Sequence, residues 1–291
     1  MTYKNAVAGL PLGGGKGVIM ARPGEPLDAD LRADALRDFG DAVEAVAGAY
    51  VTAEDVGTST RDMELIAERT ANVSGLASGS GDPSPWTALG VEAALLAACD
   101  EALGSPELAG RSVAIVGLGH VGLRLAELLA ARGAELLVCD IDQGKAPLAG
   151  RLGARWVSEE EALTAPVDVL CPCALGGTLD HGTVPRLGAR VIAGAANNQL
   201  AAPEIADLLV ARGITWAPDF VANAGGVVNI AQELHPDGYD AGRARAAVAA
   251  IGDTMRTVLQ DARARGITPL QAALELARAR LAEGRAAGAA R

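Results

Sequence analysis

The chain has 291 residues, and at roughly 150 residues per domain that length predicts two domains rather than one. Half of the residues are hydrophobic, which excludes global disorder and supplies a sizeable core. A net charge of −11, from 36 acidic against 25 basic residues, argues against nucleic acid or an anionic membrane as the main partner, since both need clustered positive charge.

Residues 17–20 read as a short strand, and a helix is expected from near Asp28. That helix carries Leu31, Leu36, Phe39, Val43 and Val46 at spacings near 3.6. A second short strand at 50–52 runs into the polar turn Glu54-Asp55-Val56-Gly57, and another helix is expected at 59–68. The loop 78–85 is rich in Gly, Ser and Pro and is a candidate hinge. A helix over 86–103 should stop at Gly104, with Pro106 just beyond. From there strand and helix alternate. Residues 112–116 are a continuous apolar run, as expected of a strand buried on both faces. A helix to Arg132 follows, then strands at 135–139, 154–157, 167–170, 190–193 and 214–216 with helices between. Repeated βα units of this length predict an α/β fold with a Rossmann-type, doubly wound parallel sheet. From Ala241 onward two alanine-rich helices are expected, divided at 266–269.

The clearest chemical motif is Gly117-Leu-Gly119-His-Val-Gly122, which follows the 112–116 strand and opens a helix. Gly117 permits the tight turn, Gly119 lets a pyrophosphate approach the backbone, and Gly122 allows close helix–strand packing. Free N–H groups at the helix start then face the phosphates. Asp140 ends the next strand, where a carboxylate accepts hydrogen bonds from the adenosine ribose and repels a 2′-phosphate. The expected cofactor is NAD rather than NADP. His120, inside the motif, reads as a surface residue.

The basic residues are biased: Lys4, Lys16 and Lys145 are the only lysines among the 25. Arginine cannot give up its proton near neutrality, whereas a desolvated lysine can. Lys4 and Lys16 flank Gly13-Gly14-Gly15, glycines that let backbone and lysine come close to a ligand. The four cysteines (Cys99, Cys139, Cys171, Cys173) sit in apolar stretches without framework spacing, and read as reduced thiols of a cytoplasmic protein. The Cys171/Cys173 pair has no second pair or histidine cluster to complete a zinc site, so no metal is expected. No apolar run approaches the ~18 residues of a membrane span, and no signal-peptide core is expected at the start.

The stretch Met-Thr-Tyr-Lys4-Asn through Gly13-Gly14-Gly15-Lys16-Gly resembles the amino-acid dehydrogenase family of glutamate, leucine, phenylalanine and valine, most of all its leucine and valine members. The likeness continues in order through Thr52-Ala-Glu-Asp55-Val-Gly-Thr, Gly81-Asp-Pro-Ser-Pro-Trp-Thr87, the 117–122 glycines, Pro172-Cys-Ala-Leu-Gly, Ala195-Ala-Asn197-Asn-Gln-Leu and Ala222-Asn223-Ala-Gly-Gly226-Val-Val-Asn229. It implies reversible oxidative deamination of an L-amino acid to its 2-oxo acid and ammonia, with NAD reduced, in a homo-oligomer.

By the same resemblance Lys4 holds the substrate carboxylate. Lys16, expected to be desolvated beside a like charge, activates water and polarises the carbonyl, and Asp55 moves protons to and from the substrate nitrogen. Read from its residues alone, Asp55 is a turn-capping carboxylate before Gly57. Asn223 matches a position that holds substrate or nicotinamide. Thr87 matches one against the nicotinamide carboxamide, and Asn197 one against its ribose. Ala53, Val227 and Ile230 look like the side-chain pocket, whose small aliphatic lining suits leucine, valine or isoleucine. An enzyme for phenylalanine or tryptophan, and a non-catalytic NAD-binding remnant, are the alternatives. The resemblance divides the chain into a partial α/β substrate domain over 1–85, an NAD-binding domain over 86–240, and C-terminal helices over 241–291 that pack back on the pair. Family members carry several dozen residues ahead of the Lys4 block, so the substrate domain is expected to be partial and Lys4 mobile.

Overall fold

The computed structural model describes residues 1–20, 24 and 28–289. The described residues form a six-stranded parallel sheet from β1 (Ser112–Val116), β2 (Glu135–Cys139), β3 (Arg155–Trp156), β4 (Val169–Pro172), β5 (Val191–Ile192) and β6 (Thr215–Trp216). The strands run in the order β3-β2-β1-β4-β5-β6. The chain winds outward from β1 to β3 and then returns to β1's other side. That reversal opens a crevice at the carboxyl ends of β1 and β4, where ligands bind in folds of this kind.

Side chains of β1 alternate between two cores. Val113 and Ile115 join a cluster with Leu95, Leu125, Leu129 and Met255, while Ala114 and Val116 face Leu170, Ile192, Ile205 and Leu209. The first cluster is covered by α4 (Ser84–Leu103), α5 (His120–Ala131) and α12 (Ile251–Arg265); the second by α7 (Glu159–Thr164) and α8 (Ile205–Ala211). A strand buried on both faces has no reason to alternate polar and apolar residues, which is why 112–116 reads as an unbroken apolar run. Helix α4 ends where Gly104 takes the left-handed conformation (φ +75°). Shorter helices α6 (Ala146–Leu152), α9 (Asp219–Ala222) and α10 (Gly225–Ala231) complete the nucleotide-domain layers.

Among the described residues, 28–76 build a smaller unit. Helices α2 (Ala29–Ala45) and α3 (Thr60–Ala67) pack through Leu36, Met63, Ile66 and Val73. Asp28 caps α2, and Ser59 with Asp62 forms a reciprocal capping box on α3. Helix α1 (Thr2–Val7) lies outside this unit, against α13 (Pro269–Ala289) and α9.

Several expectations are corrected here. Residues 17–20 run without regular structure, with Val18 and Met20 80% and 90% exposed, because no described strand lies beside them. The strand at 50–52 shrinks to one parallel bridge between Thr52 and Val73. The outer strands are shorter than their apolar runs. The tail holds three helices, not two: α11 (Ala241–Ala249) and α12 part at Ala250 before α13 begins. Alanine gives no stop signal, so the break is not legible in the sequence; just after it α12 packs closely on α4, where a Cβ on Gly252 would sit 3.1 Å from the Ala93 carbonyl. Lys4 is not on a loose end. Val7 is 1% exposed, and the Arg280 guanidinium donates to the carbonyls of Ala6 and Val7 at the end of α1.

Candidate active site

Gly117 turns sharply after β1 (φ +99°), and a Cβ there would lie 2.9 Å from the Ala174 backbone nitrogen. A Cβ on Gly122 would run into the Gly117 carbonyl, so helix α5 packs against the turn only because both are glycines. Gly119 caps α5 without a side chain, and the space before its missing Cβ is empty to 4 Å. The helix thus presents bare N–H groups and its positive dipole end to an open crevice, which fits a pyrophosphate.

Asp140 stands at the end of β2 as a held anion. Its Oδ2 accepts from the Leu118 N–H (2.7 Å) and the Lys145 ammonium (2.9 Å), and its Oδ1 accepts from the Asp142 N–H (2.9 Å). Burial pushes its carboxyl up, but Lys145 and the two N–H groups outweigh that and hold it below the usual carboxylate range. Lys145 was not anticipated as its partner. Nor were Ile141 and Leu175, 98% and 79% exposed just beyond β2 and β4. Both follow strands whose carboxyl ends border the crevice. The readable signal was an isoleucine placed directly after a strand-ending acid.

A second group of polar residues gathers from distant parts of the chain. The Lys4 ammonium donates to Asn197 Oδ1 (3.0 Å), and the same oxygen accepts from Asn223 Nδ2 (3.0 Å). Asn223 Nδ2 also donates to the Ala195 carbonyl (3.0 Å). Asn223 is 5% exposed, and its Oδ1 is buried with no partner among the described residues. A buried acceptor left without a donor at a crevice is a place for a ligand's N–H. Lys16 pairs with Asp55 Oδ2, each side chain 46% exposed, while Asp55 Oδ1 accepts from the Val56 N–H at 2.8 Å. Asp55 therefore caps its turn and pairs with a lysine at once. The glycine run allows this: a Cβ on Gly14 would collide with the backbone of Met1 and Thr2.

Desolvation falls on Lys4, not on Lys16 as expected. Burial, then the nearby Lys16 ammonium, lowers Lys4 from 10.5 to about 8, against the pull of Asp219 and Asp55. Burial raises the Asp55 carboxyl, but the Lys16 ammonium and the Val56 N–H bring it below its ordinary value. Thr87 lies in the first turn of α4, its hydroxyl donating to the Pro83 carbonyl (3.0 Å), and Gly226 packs close over it. Val227 and Ile230 share one face of α10, both half-buried; Val227 leans on the larger core, while Ile230 and Ala53 lie outside every apolar cluster.

Two acids that spacing could not reveal organise this region. Glu233 accepts from the N–H groups of Gly75 (3.1 Å) and Ser80 (2.6 Å), fastening the 74–81 linker to the nucleotide domain. Asp219, 7% exposed, accepts from the Gln199 N–H (2.8 Å) and its neighbour Phe220 (2.6 Å). Among the described residues no group of acids, histidines and cysteines is arranged to hold a metal, and no helix is long and apolar enough to cross a membrane.

The doubly wound sheet, the open phosphate turn and the held acid after β2 define an NAD-binding dehydrogenase. Residues 95–178 match the NAD-binding domain of D-isomer specific 2-hydroxyacid dehydrogenases. Residues 1–72 match the dimerisation domain of Glu/Leu/Phe/Val dehydrogenases, and residues 142–287 match Glutamate/Leucine/Phenylalanine/Valine dehydrogenase. The chain is 43% identical over 286 residues to leucine dehydrogenase of Bacillus cereus, covering 97% of this chain and 76% of the relative. It is 42% identical over 293 residues to valine dehydrogenase of Streptomyces albus, covering 98% and 79%. The crystal structure of L-tryptophan dehydrogenase from Nostoc punctiforme superposes with a TM-score of 0.81 at 37% identity, covering 98% of this chain and 81% of that one. The chain belongs to the Glu/Leu/Phe/Val dehydrogenase family of amino-acid dehydrogenases.

Proposed function

We propose that this chain catalyses the reversible oxidative deamination of a small aliphatic L-amino acid, leucine, valine or isoleucine, to its 2-oxo acid and ammonia. The observation that carries this is the Lys4–Asn197–Asn223 cluster, with its orphaned Asn223 Oδ1, beside the Lys16–Asp55 pair. NAD, when bound, supplies the hydride acceptor. Gly117, Gly119 and Gly122 hold its pyrophosphate and Asp140 its adenosine ribose, while Thr87 and Asn197 border its nicotinamide end.

The Lys4 ammonium balances the substrate carboxylate, which must stay ionised while hydride leaves Cα. Asn223 Oδ1 accepts from the α-amino group and aims Cα. Lys16 first passes its proton through Asp55 to the departing nitrogen; the neutral amine then takes a proton from the attacking water, and the ammonium so formed polarises the developing carbonyl. Asp55, joined to Lys16, carries the proton to and from the departing nitrogen. Ala53, Val227 and Ile230 line the side-chain pocket without a cation, which disfavours glutamate. The likeness to L-tryptophan dehydrogenase, together with the small Ala53, supports a second reading in which a bulky aromatic side chain is accepted. In this assignment residues 1–85 carry the substrate side, 86–240 the nucleotide side, and 241–291 brace both. The enzyme acts in the cytoplasm as a homo-oligomer, its four cysteines free thiols.

NADH formation with a panel of L-leucine, L-valine, L-isoleucine, L-phenylalanine, L-tryptophan and L-glutamate tests this. Highest kcat/KM on the branched aliphatic acids supports the first reading, and highest on the aromatic acids the second. A panel with no turnover, despite NADH binding, sinks both.

A further inference from the structure

We propose that Asp219 is a positioning residue for the substrate site: it fixes the 197–199 turn, and with it the Asn197 oxygen that holds the Lys4 ammonium. The proposal rests on the reading of Lys4 as the substrate carboxylate's cation.

The turn needs an anchor. Asn198 sits in the left-handed region (φ +53°), a conformation that a non-glycine residue keeps only when its surroundings enforce it. Asp219, at the start of α9, supplies the enforcement. Its carboxylate accepts from the backbone N–H of Gln199, the residue after Asn198, at 2.8 Å, and from its own neighbour Phe220 at 2.6 Å. Gln199, fully buried, ties the same turn to the Gly194 carbonyl (3.0 Å) and to the Trp216 indole N–H (3.0 Å). Asn197, the residue before this anchor, has its Oδ1 between Lys4 Nζ and Asn223 Nδ2. Asp219 also begins α9, and its backbone carbonyl accepts from the Asn223 N–H at 2.8 Å. The carboxylate thus fixes the turn that carries one of the two amides meeting at Lys4, and the backbone of α9 carries the other.

Its charge acts in the same place. Lys4 faces four ionisable groups: Lys16 and the Met1 amine push against its proton, while Asp219 and Asp55 favour it. Burial holds the Asp219 carboxyl above its ordinary value, only partly offset by the backbone N–H groups and by Lys4. Without an anion at 219, the proton that makes Lys4 a cation is held less firmly.

The test exploits the scarcity of lysine. Lysine labelled with carbon-13 at Cε gives three titrating signals, assigned with Lys4→Arg and Lys145→Arg variants. In the unaltered chain the Lys4 signal is expected to titrate at about 8. In Asp219→Asn it is expected at least about half a pH unit lower, with Lys145 unmoved. The rise of amino-acid KM with pH should begin correspondingly earlier, whereas mere loosening of the fold raises KM by one factor at every pH. An Asp219→Asn chain that binds NADH normally, yet keeps its Lys4 midpoint within about 0.2 pH units, overturns the proposal. If the midpoint moves and KM does not follow, Asp219 holds Lys4 as proposed, and it is the assignment of Lys4 to the substrate that fails. If Asp219→Asn does not fold, Asn197→Ala takes its place: an unmoved Lys4 midpoint there likewise overturns the proposal.

Discussion

Replacing Lys16 with arginine separates charge from proton transfer at this site. The Lys16–Asp55 pair is about half exposed on both sides, so its worth to stability lies in the ~0–1 kcal/mol range of surface pairs. Arginine keeps the positive charge and can still reach Asp55, so the melting temperature should move little. Turnover is another matter. Arginine does not release its proton near neutrality, and loss of a positioned general base costs roughly 10²–10⁴-fold in kcat, about 2.7–5.5 kcal/mol of barrier. Three measurements on one preparation decide it: melting temperature, NADH affinity by fluorescence, and kcat from NADH formation. We expect the first two to be preserved and the third to collapse. A Lys16→Arg enzyme that keeps more than about a tenth of its kcat would refute base chemistry at Lys16 and leave it an electrostatic role.

Gly122→Ala should weaken NADH binding by at least about tenfold, because the new methyl meets the Gly117 carbonyl and forces α5 away from the phosphate turn; fluorescence titration checks this. Asp140→Ser should lower the NAD-to-NADP ratio of kcat/KM, the more so because Lys145, released from its 2.9 Å pair, becomes free to meet a 2′-phosphate. An unchanged ratio would show that Asp140 does not choose the cofactor. Lys4 carries a pH signature of its own. Its folded value of about 8 lies below the unfolded 10.5, so the unfolded chain holds more protons between these values and stability rises with pH across that window. Relative to Lys4→Met, the unaltered chain should therefore gain stability from pH 8 toward 10, by less than about 3 kcal/mol. Melting curves of the two proteins over that range should diverge in this sense, and parallel curves would mean that Lys4 is solvated.

The parts of the fold legible in the sequence are those whose causes are local. Residues 112–116, Gly117, Gly122 and Asp140 announce a strand, a turn and an acid within thirty positions, and each lies where that grammar puts it. Gly104 and Asp28 mark helix ends through their own conformational preferences. Residues 17–20 mislead because an apolar run between glycines looks like a strand, yet a strand exists only if another lies beside it. Glu233 and Asp219 were invisible for a related reason. Their partners are backbone N–H groups, which every residue offers, and Ser80 is 153 positions away from Glu233. How far Lys4 is covered likewise depends on distant residues: its partner Asn197 comes 193 positions later.

The clamp between α1 and α13 also has a bearing on the order in which the protein matures. The Arg280 guanidinium that secures the Lys4 helix lies 273 positions along the chain from the Val7 carbonyl it binds. The sheet from β1 to β6 can condense while synthesis continues, so the nucleotide crevice forms first on a growing chain. Lys4, the proposed substrate cation, is set in position only once α13 has docked on α1. On the proposed assignment, a chain with its sheet formed can therefore hold the dinucleotide before α1 and α13 have met and set Lys4 in place.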